Sequence, residues 1–329
     1  MLHTLQNARA LAKKLDEPWW EFLFDVWIEI AYETHMRDLQ NGLRQALYCI
    51  NEARKPILRD HPWRVAAHNN LLACYVLIDP VGYAKPIRQC IRELNQEIPA
   101  GPGPHRYIMM DQECELLMAL NQLKKAENVA IAHLALADKD SQPDLWYTAP
   151  PLLNLCWLQF RKRDWEKLQA FATQAETVGN SLEHAHLWTA EAMIWQAVVA
   201  RQLGDEARAT RIFQRVEMRV QRLAKLPSGK FYDAVEGFHQ QGEDLEKALL
   251  VREDQLARIA GKGRHGYECD VQIKCCDLLA RLGRLTSADL DRATALTAPL
   301  KAPKRYQTRI KKLASQRQEV NDSTSPSRP

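Results

Sequence analysis

Apolar residues along this chain recur at intervals of three and four, in runs that stop at polar, glycine or proline breaks. The segment RQLGDEARATRIFQRVE, residues 201–217, shows the pattern: a helix end, a break at Gly204 and Asp205, then a new helix with Ala209 and Phe213 on one face. Similar segments begin at residues 36, 79, 121, 162, 241 and 282, so the chain reads as seven helical hairpins. An opening helix near 2–15 precedes them and stops at Pro18. Breaks are expected near Arg37, His61, Pro80, Gly101, Lys139, Arg163, Gly179, Gly204, Pro227, Gly242, Gly261 and Gly283. No run alternates apolar and polar residues as a strand would.

The hairpins repeat with a period near 41. Equivalent positions in the second helices are Gly42, Pro86, Ala126, Leu168, Ala209, Ala248 and Ala288, spaced 44, 40, 42, 41, 39 and 40 residues apart. Twelve residues earlier, in the first helices, stand Ile30, Cys74, Cys114, Cys156, Ala197, Glu236 and Cys276. An extra residue in the sixth unit moves its position to Val235. Small side chains in both places allow two helices to cross closely, and a free cysteine acts there as a small hydrophobe. In the first hairpin, Trp20, Phe24, Trp27 and Ala31 form one helical line and Trp19, Phe22, Val26 and Ile30 its neighbour, a broad apolar arc expected to fill the core. Phe24 and Trp27 are the members placed to face a groove instead.

Leu203-Gly204-Asp205 followed by Ala209 and Phe213, with Ala197 in the preceding helix, resembles the tetratricopeptide repeat family. That family's repeat is about 34 residues, so the chain is similar to a long-helix variant; HEAT-type repeats, at about 40–47, match the period better but lack these marks. The resemblance implies an all-α, right-handed solenoid over residues 1–300, followed by a basic tail over 301–329. It also implies a concave groove lined by first helices, which would bind a peptide or partner helix. The groove candidates are His68, Leu71, Tyr75, Asp111, Glu115, Met118, Trp157, Phe160, Arg161, Glu191, Arg201, Asp270, Asp277 and Arg281.

Catalytic and metal chemistry finds little to rest on. The loop GKGRHG, 261–266, has Tyr267 where a phosphate loop needs lysine, though Lys262, Arg264 and His265 remain candidate anion contacts. His265, Cys269, Cys275 and Cys276 lack zinc-ligand spacing, and His184 and His186 point to different helix faces. Paired acids such as Asp16-Glu17 and Glu243-Asp244 sit where helices start, favoured there by the helix dipole. A non-enzymatic chain without a cofactor or metal is expected.

The 329 residues are 46% hydrophobic and 26% charged, enough for a sizeable core. The longest uncharged stretch, 145–160, contains two prolines, Asn154 and Gln159 and makes a poor membrane span. Arg9, Lys13 and Lys14 interrupt any signal-like run, and the scattered cysteines suit free thiols, so a cytoplasmic protein is expected. The net charge of +4 belongs to the tail, where eight Lys or Arg face two acids and leave about −2 for the rest. Residues 304–318 suit a basic helix capping the last repeat through Tyr306, Ile310 and Leu313, with disorder expected over the last ten residues. The alternative partner is nucleic acid, met by Lys304, Arg305, Arg309, Lys311 and Lys312. The expected function is thus a protein-interaction scaffold or adaptor, with a nucleic-acid-binding solenoid as the competing class.

Overall fold

A computed structural model describes residues 1–32, 38–140, 145–182, 186–221 and 227–324, side chains excepted at 186 and 319–324. Among the described residues there are sixteen α-helices and no strand, as expected for an all-α chain of helical hairpins. The chain divides into two compact units, Met1–Gln122 with Ala260–Tyr267, and Leu123–Ile259 with Glu268–Pro329.

The first unit holds α1 (Leu2–Lys14), α2 (Pro18–Ile30), α3 (Leu39–Ala53), α4 (Arg64–Ile78), α5 (Ala84–Glu97) and α6 (Pro104–Ala119). Each helix packs on the next in sequence, and α4 also on α6, so first helices touch across the intervening second helix. The second unit holds α7 (Leu123–Ala137), α8 (Ala149–Lys162), α9 (Trp165–Ser181), α10 (His186–Gln202), α11 (Glu206–Val220), α12 (Gly229–Gln241), α13 (Leu245–Ile259), most of α14 (His265–Arg281), α15 (Ser287–Ala295) and α16 (Lys304–Thr324). There α10 packs on α8, α9, α11 and α12.

One turn design joins the hairpin helices. Arg163, Gly204 and Glu243 adopt left-handed backbone, with φ of 60°, 81° and 58°, and an aspartate follows each. Asp164, Asp205 and Asp244 then accept hydrogen bonds from the amides of Lys167, Arg208 and Lys247, satisfying donors the helix start leaves open. Thr286 caps α15 with a reciprocal bond from Asp289.

Most of the recurring small residues are buried. Cys74, Cys114, Cys156, Ala197, Cys276, Ala126, Ala209 and Ala248 are all buried, and Val235 is the buried residue of the sixth unit while Glu236 turns to Arg252. Two positions depart from the frame. Ile87 is buried in place of the half-exposed Pro86, and Ala288 is exposed while Leu290 and Ala293 fill the core of α15. The break expected at Gly179 is absent, because α9 runs on to Ser181 and uses Gly179 for close contact. A Cβ there would stand 2.6 Å from Thr189 Oγ1 and 3.1 Å from the Thr189 amide nitrogen. The break near Arg37 and the histidine at 184 fall outside the described residues.

The tryptophans of α2 correct the expected core stripe. Phe22 and Val26 are buried, whereas Trp19, Trp20 and Trp27 are 44%, 56% and 41% exposed. A broad apolar arc does not say which half of it turns inward, and α2 buries the half centred on Phe22, Asp25, Val26 and Glu29. Trp19 lies against His61 at 4.8 Å and donates its indole N–H to the Ile57 carbonyl, and Trp27 lies 5.3 Å from Trp63, so each ring is anchored at the surface.

Asp25 is a buried carboxylate held by Arg9 of α1 at 2.5 Å and by the Gln45 amide at 3.0 Å. Burial nonetheless pushes its carboxyl up to about 6, against the pull of Arg9. A carboxyl whose native pKa is raised holds its proton longer folded than unfolded, so its contribution to stability falls as pH rises from about 4 to about 6. Asp25→Asn is therefore expected to stabilise the protein by about 1–2 kcal/mol at pH 7 and to leave it unchanged below about pH 4. Denaturant unfolding of both proteins across that range checks the crossover.

Candidate functional site

In the second unit, α8, α12, α14 and α16 each turn one face into a shared groove of about 500 Å³. Helical spacing sets the contributions: Trp157, Phe160 and Arg161 from α8; Asp233, Glu236, Gly237 and Gln240 from α12; Lys274, Asp277 and Arg281 from α14; Arg309, Lys312 and Leu313 from α16. Gly237 is required by the packing. A Cβ there would meet Phe160 Cζ at 2.8 Å, so the missing side chain lets the Phe160 ring lie against α12. Phe160 also rests 5.1 Å from the buried Trp195 ring, which fixes its position.

The floor is a chain of alternating charges. Arg252 of α13, 1% exposed, reaches Asp233 and Glu236 through its guanidinium and donates to Gln255 Oε1 at 2.6 Å. Asp233 accepts from Trp157 Nε1 at 2.7 Å and from Lys274 Nζ at 2.8 Å. Lys274 also lies 3.3 Å from Asp270, which pairs with Arg309 of α16 at 2.5 Å. Burial works to raise the Asp233 carboxyl, but Lys274 and Arg252 overcome it and hold the group far below the usual carboxylate range. Burial likewise opposes charge on Arg252, and Asp233 and Glu236 outweigh it. Asp233 and Arg252 thus hold each other in the charged form.

At the rim, Arg161 lies over the Trp157 ring at 5.5 Å, Arg281 donates to Gln240 Oε1 at 3.0 Å, and Lys312 is exposed. Six cations line the groove against three lining carboxylates; adding Asp270 behind Arg309 makes four, an excess of two positive charges. An aromatic wall, an ion-paired floor and a cationic rim line this groove.

Five of the expected groove residues, Trp157, Phe160, Arg161, Asp277 and Arg281, meet here, and a sixth, Asp270, joins them by way of Arg309. Arg309, expected as a tail contact for anions, is instead part of this floor. Arg201 stacks 3.6 Å from the Phe238 ring centre and donates to the Phe238 carbonyl, outside the groove lining. Glu191 is buried and accepts from Ser228. In the first unit, His68 is buried beside Glu93 and Glu97 of α5, at 3.9 and 3.8 Å. Leu71 and Tyr75 belong to the core, where Tyr75 stacks on Tyr83, and Met118 is buried, while Asp111 and Glu115 are half-exposed. Lys262 and Arg264, in the loop before α14, and His265, its first residue, are half-buried, and His265 Nε2 accepts from the Gln40 amide at 3.3 Å. Lys304 and Arg305 are exposed at the start of α16. That helix buries Tyr306, Ile310 and Leu313 against α14 and α15 residues and continues past 318 to Thr324.

Sequence reasoning missed α12. The one-residue shift in the sixth unit put Glu236 on the packing frame, and the spacing of Asp233, Glu236, Gly237 and Gln240 at i, i+3, i+4 and i+7 was the available signal. Other chemistry is muted. All eight cysteines are buried, and burial pushes the Cys90 and Cys275 thiols up to about 12, far from a reactive thiolate. Among the described residues no group of three His, Cys, Asp or Glu is placed to hold a metal ion, and no helix is long and apolar enough to cross a membrane.

No protein-family model matches the chain, and no curated protein matches it. Among solved structures it is similar to a tetratricopeptide repeat protein from Parabacteroides merdae, with 11% identity and a TM-score of 0.47 over 89% of this chain and 99% of that one. A likeness that loose bears on no partner or activity.

Arg252→Met leaves two carboxylates beside a buried, uncharged side chain and is expected to cost about 3–5 kcal/mol at pH 7. Because Asp233 is a carboxyl with a lowered pKa, that deficit shrinks as pH falls below about 4 and the acids protonate. Urea unfolding at pH 7 and pH 3 measures both parts.

Proposed function

We propose that this protein is a non-enzymatic interaction scaffold or adaptor whose second unit holds a segment of a partner protein in the groove between α8, α12, α14 and α16. The observation that carries this reading is the pairing of the Trp157–Phe160 wall with a preorganised ionic floor. The floor fixes the Trp157 indole through Asp233, so little side-chain freedom is lost on binding. A bound segment would place an apolar side chain against Phe160 and carboxylates or carbonyls at Arg281 and Lys312. Buried aromatics and arginines are the residue types that dominate such interfaces.

A peptide library displayed against the full chain tests this. Selected peptides are expected to lose at least about tenfold in affinity with Trp157→Ala, and to lose binding with Arg281→Glu. Affinity should change less than about tenfold between 50 and 200 mM salt, since a groove with an apolar wall depends less on counterion release than a polyanion site does. Peptides indifferent to both substitutions would refute the assignment.

A further inference from the structure

A second cleft in the same unit shares no residue with the groove. It lies between α9, α10 and α11, has a volume of about 340 Å³, and is lined by Arg208, Arg211 and Arg215 with Glu176, Gln196 and the apolar pair Met193 and Ile212. The three arginines stand at i, i+3 and i+7 on one face of α11 and all are exposed. None makes an ion pair among the described residues. Arg219 continues the row four residues on, its guanidinium 3.8 Å from Met193 Sδ.

This arrangement has a local cost. Arg211, Arg215 and Arg219 follow one another at i, i+4, where like charges repel. The acids of α11 do not relieve it: Glu206 is bound to Arg201, and Glu217 is not three or four residues from any of these arginines. The one carboxylate in the cleft, Glu176, is held by the Gln196 amide at 2.7 Å. Three arginines against one carboxylate leave an excess of two positive charges with no ion-pair partner among the described residues. A locally unfavourable feature with no compensating contact marks a site that answers to something outside the fold.

We infer that this row is a contact for the phosphate backbone of a nucleic acid, held without reading its sequence. The guanidinium fork matches two phosphate oxygens at once, which a lysine does not. At 1.5 Å per residue, the row from Arg208 to Arg219 is about 16 Å long, enough to follow several phosphates of one strand at the ~3.4 Å rise. A protein segment would find no anchor here, because Met193 and Ile212 are buried and no exposed aromatic lines the cleft. The same lack of an aromatic platform leaves bases nothing to stack on, so the contact is to the backbone of a duplex. The inferred contact lies on α11.

Fluorescence anisotropy with a labelled duplex RNA and a labelled duplex DNA tests the assignment on the full chain, at salt between about 50 and 200 mM. The wild type is expected to bind one or both with no preference between two unrelated sequences. Arg208→Gln with Arg211→Gln and Arg215→Gln should weaken binding by at least tenfold at low salt and lower the slope of log K against log salt by about 2–3. The corresponding triple lysine variant should keep most of that slope, and Lys304→Ala with Arg305→Ala should leave both quantities unchanged. Circular dichroism and the melting profile confirm that each variant is folded; should the glutamine variant unfold, Arg211→Glu alone is read in its place, with the same loss expected. Absence of binding by the wild type, binding that the arginine substitutions leave intact, or displacement of the duplex from these residues by a phosphopeptide of equal affinity would overturn it.

Discussion

Every feature of the second unit depends on how closely its helices approach one another. Cys156, Ala197, Ala209 and Ala248 are fully buried on packed helices, and Gly179 brings the backbone of α9 against Thr189 of α10. Larger side chains at these places would push the helices apart, and interiors packed this densely do not absorb such a change without strain. The first unit uses Cys74 and Cys114 in the same way. Cys74, Cys114, Cys156 and Cys276, the four at the repeated position, are buried and act as packing residues.

Close approach is also what makes the groove. Gly237 admits the Phe160 ring, and once α8 and α12 are that near, Trp157 can reach Asp233 and Arg252 can bridge Asp233 to Glu236. Removing charged groups from water is costly, and the exchange is favourable only because each carboxylate meets a cation or a donor in good geometry. Lys274, Asp270 and Arg309 extend the chain of charges to α16, so the C-terminal helix both caps the apolar end through Tyr306, Ile310 and Leu313 and completes the groove. The arginine row on α11 differs in kind, since Arg208, Arg211 and Arg215 make no ion pair among the described residues.

The frame of hairpins was legible because small residues recur once per hairpin, and because an aspartate after a left-handed residue starts the second helix at Asp164, Asp205 and Asp244. The groove was legible on α8 and α14, where Trp157, Phe160, Arg161 and Arg281 keep the regular register. It was hidden on α12, where one added residue displaced the frame. It was misplaced in the first unit, where His68, Leu71, Tyr75 and Met118 share the spacing but are buried. Periodicity tells which residues share a face. It does not tell whether that face meets solvent or a neighbouring helix, and the same ambiguity put Trp19, Trp20 and Trp27 in the core when they lie at the surface.

The most direct measurement of the central claim enlarges two alanines. Ala197 is fully buried in α10, whereas Ala288 is exposed on α15. Ala197→Leu is predicted to lower the unfolding free energy by about 1–3 kcal/mol or more, and Ala288→Leu to change it by less than about 0.5 kcal/mol, in parallel denaturant titrations. Equal effects of the two substitutions, or full tolerance of leucine at 197, would contradict the account.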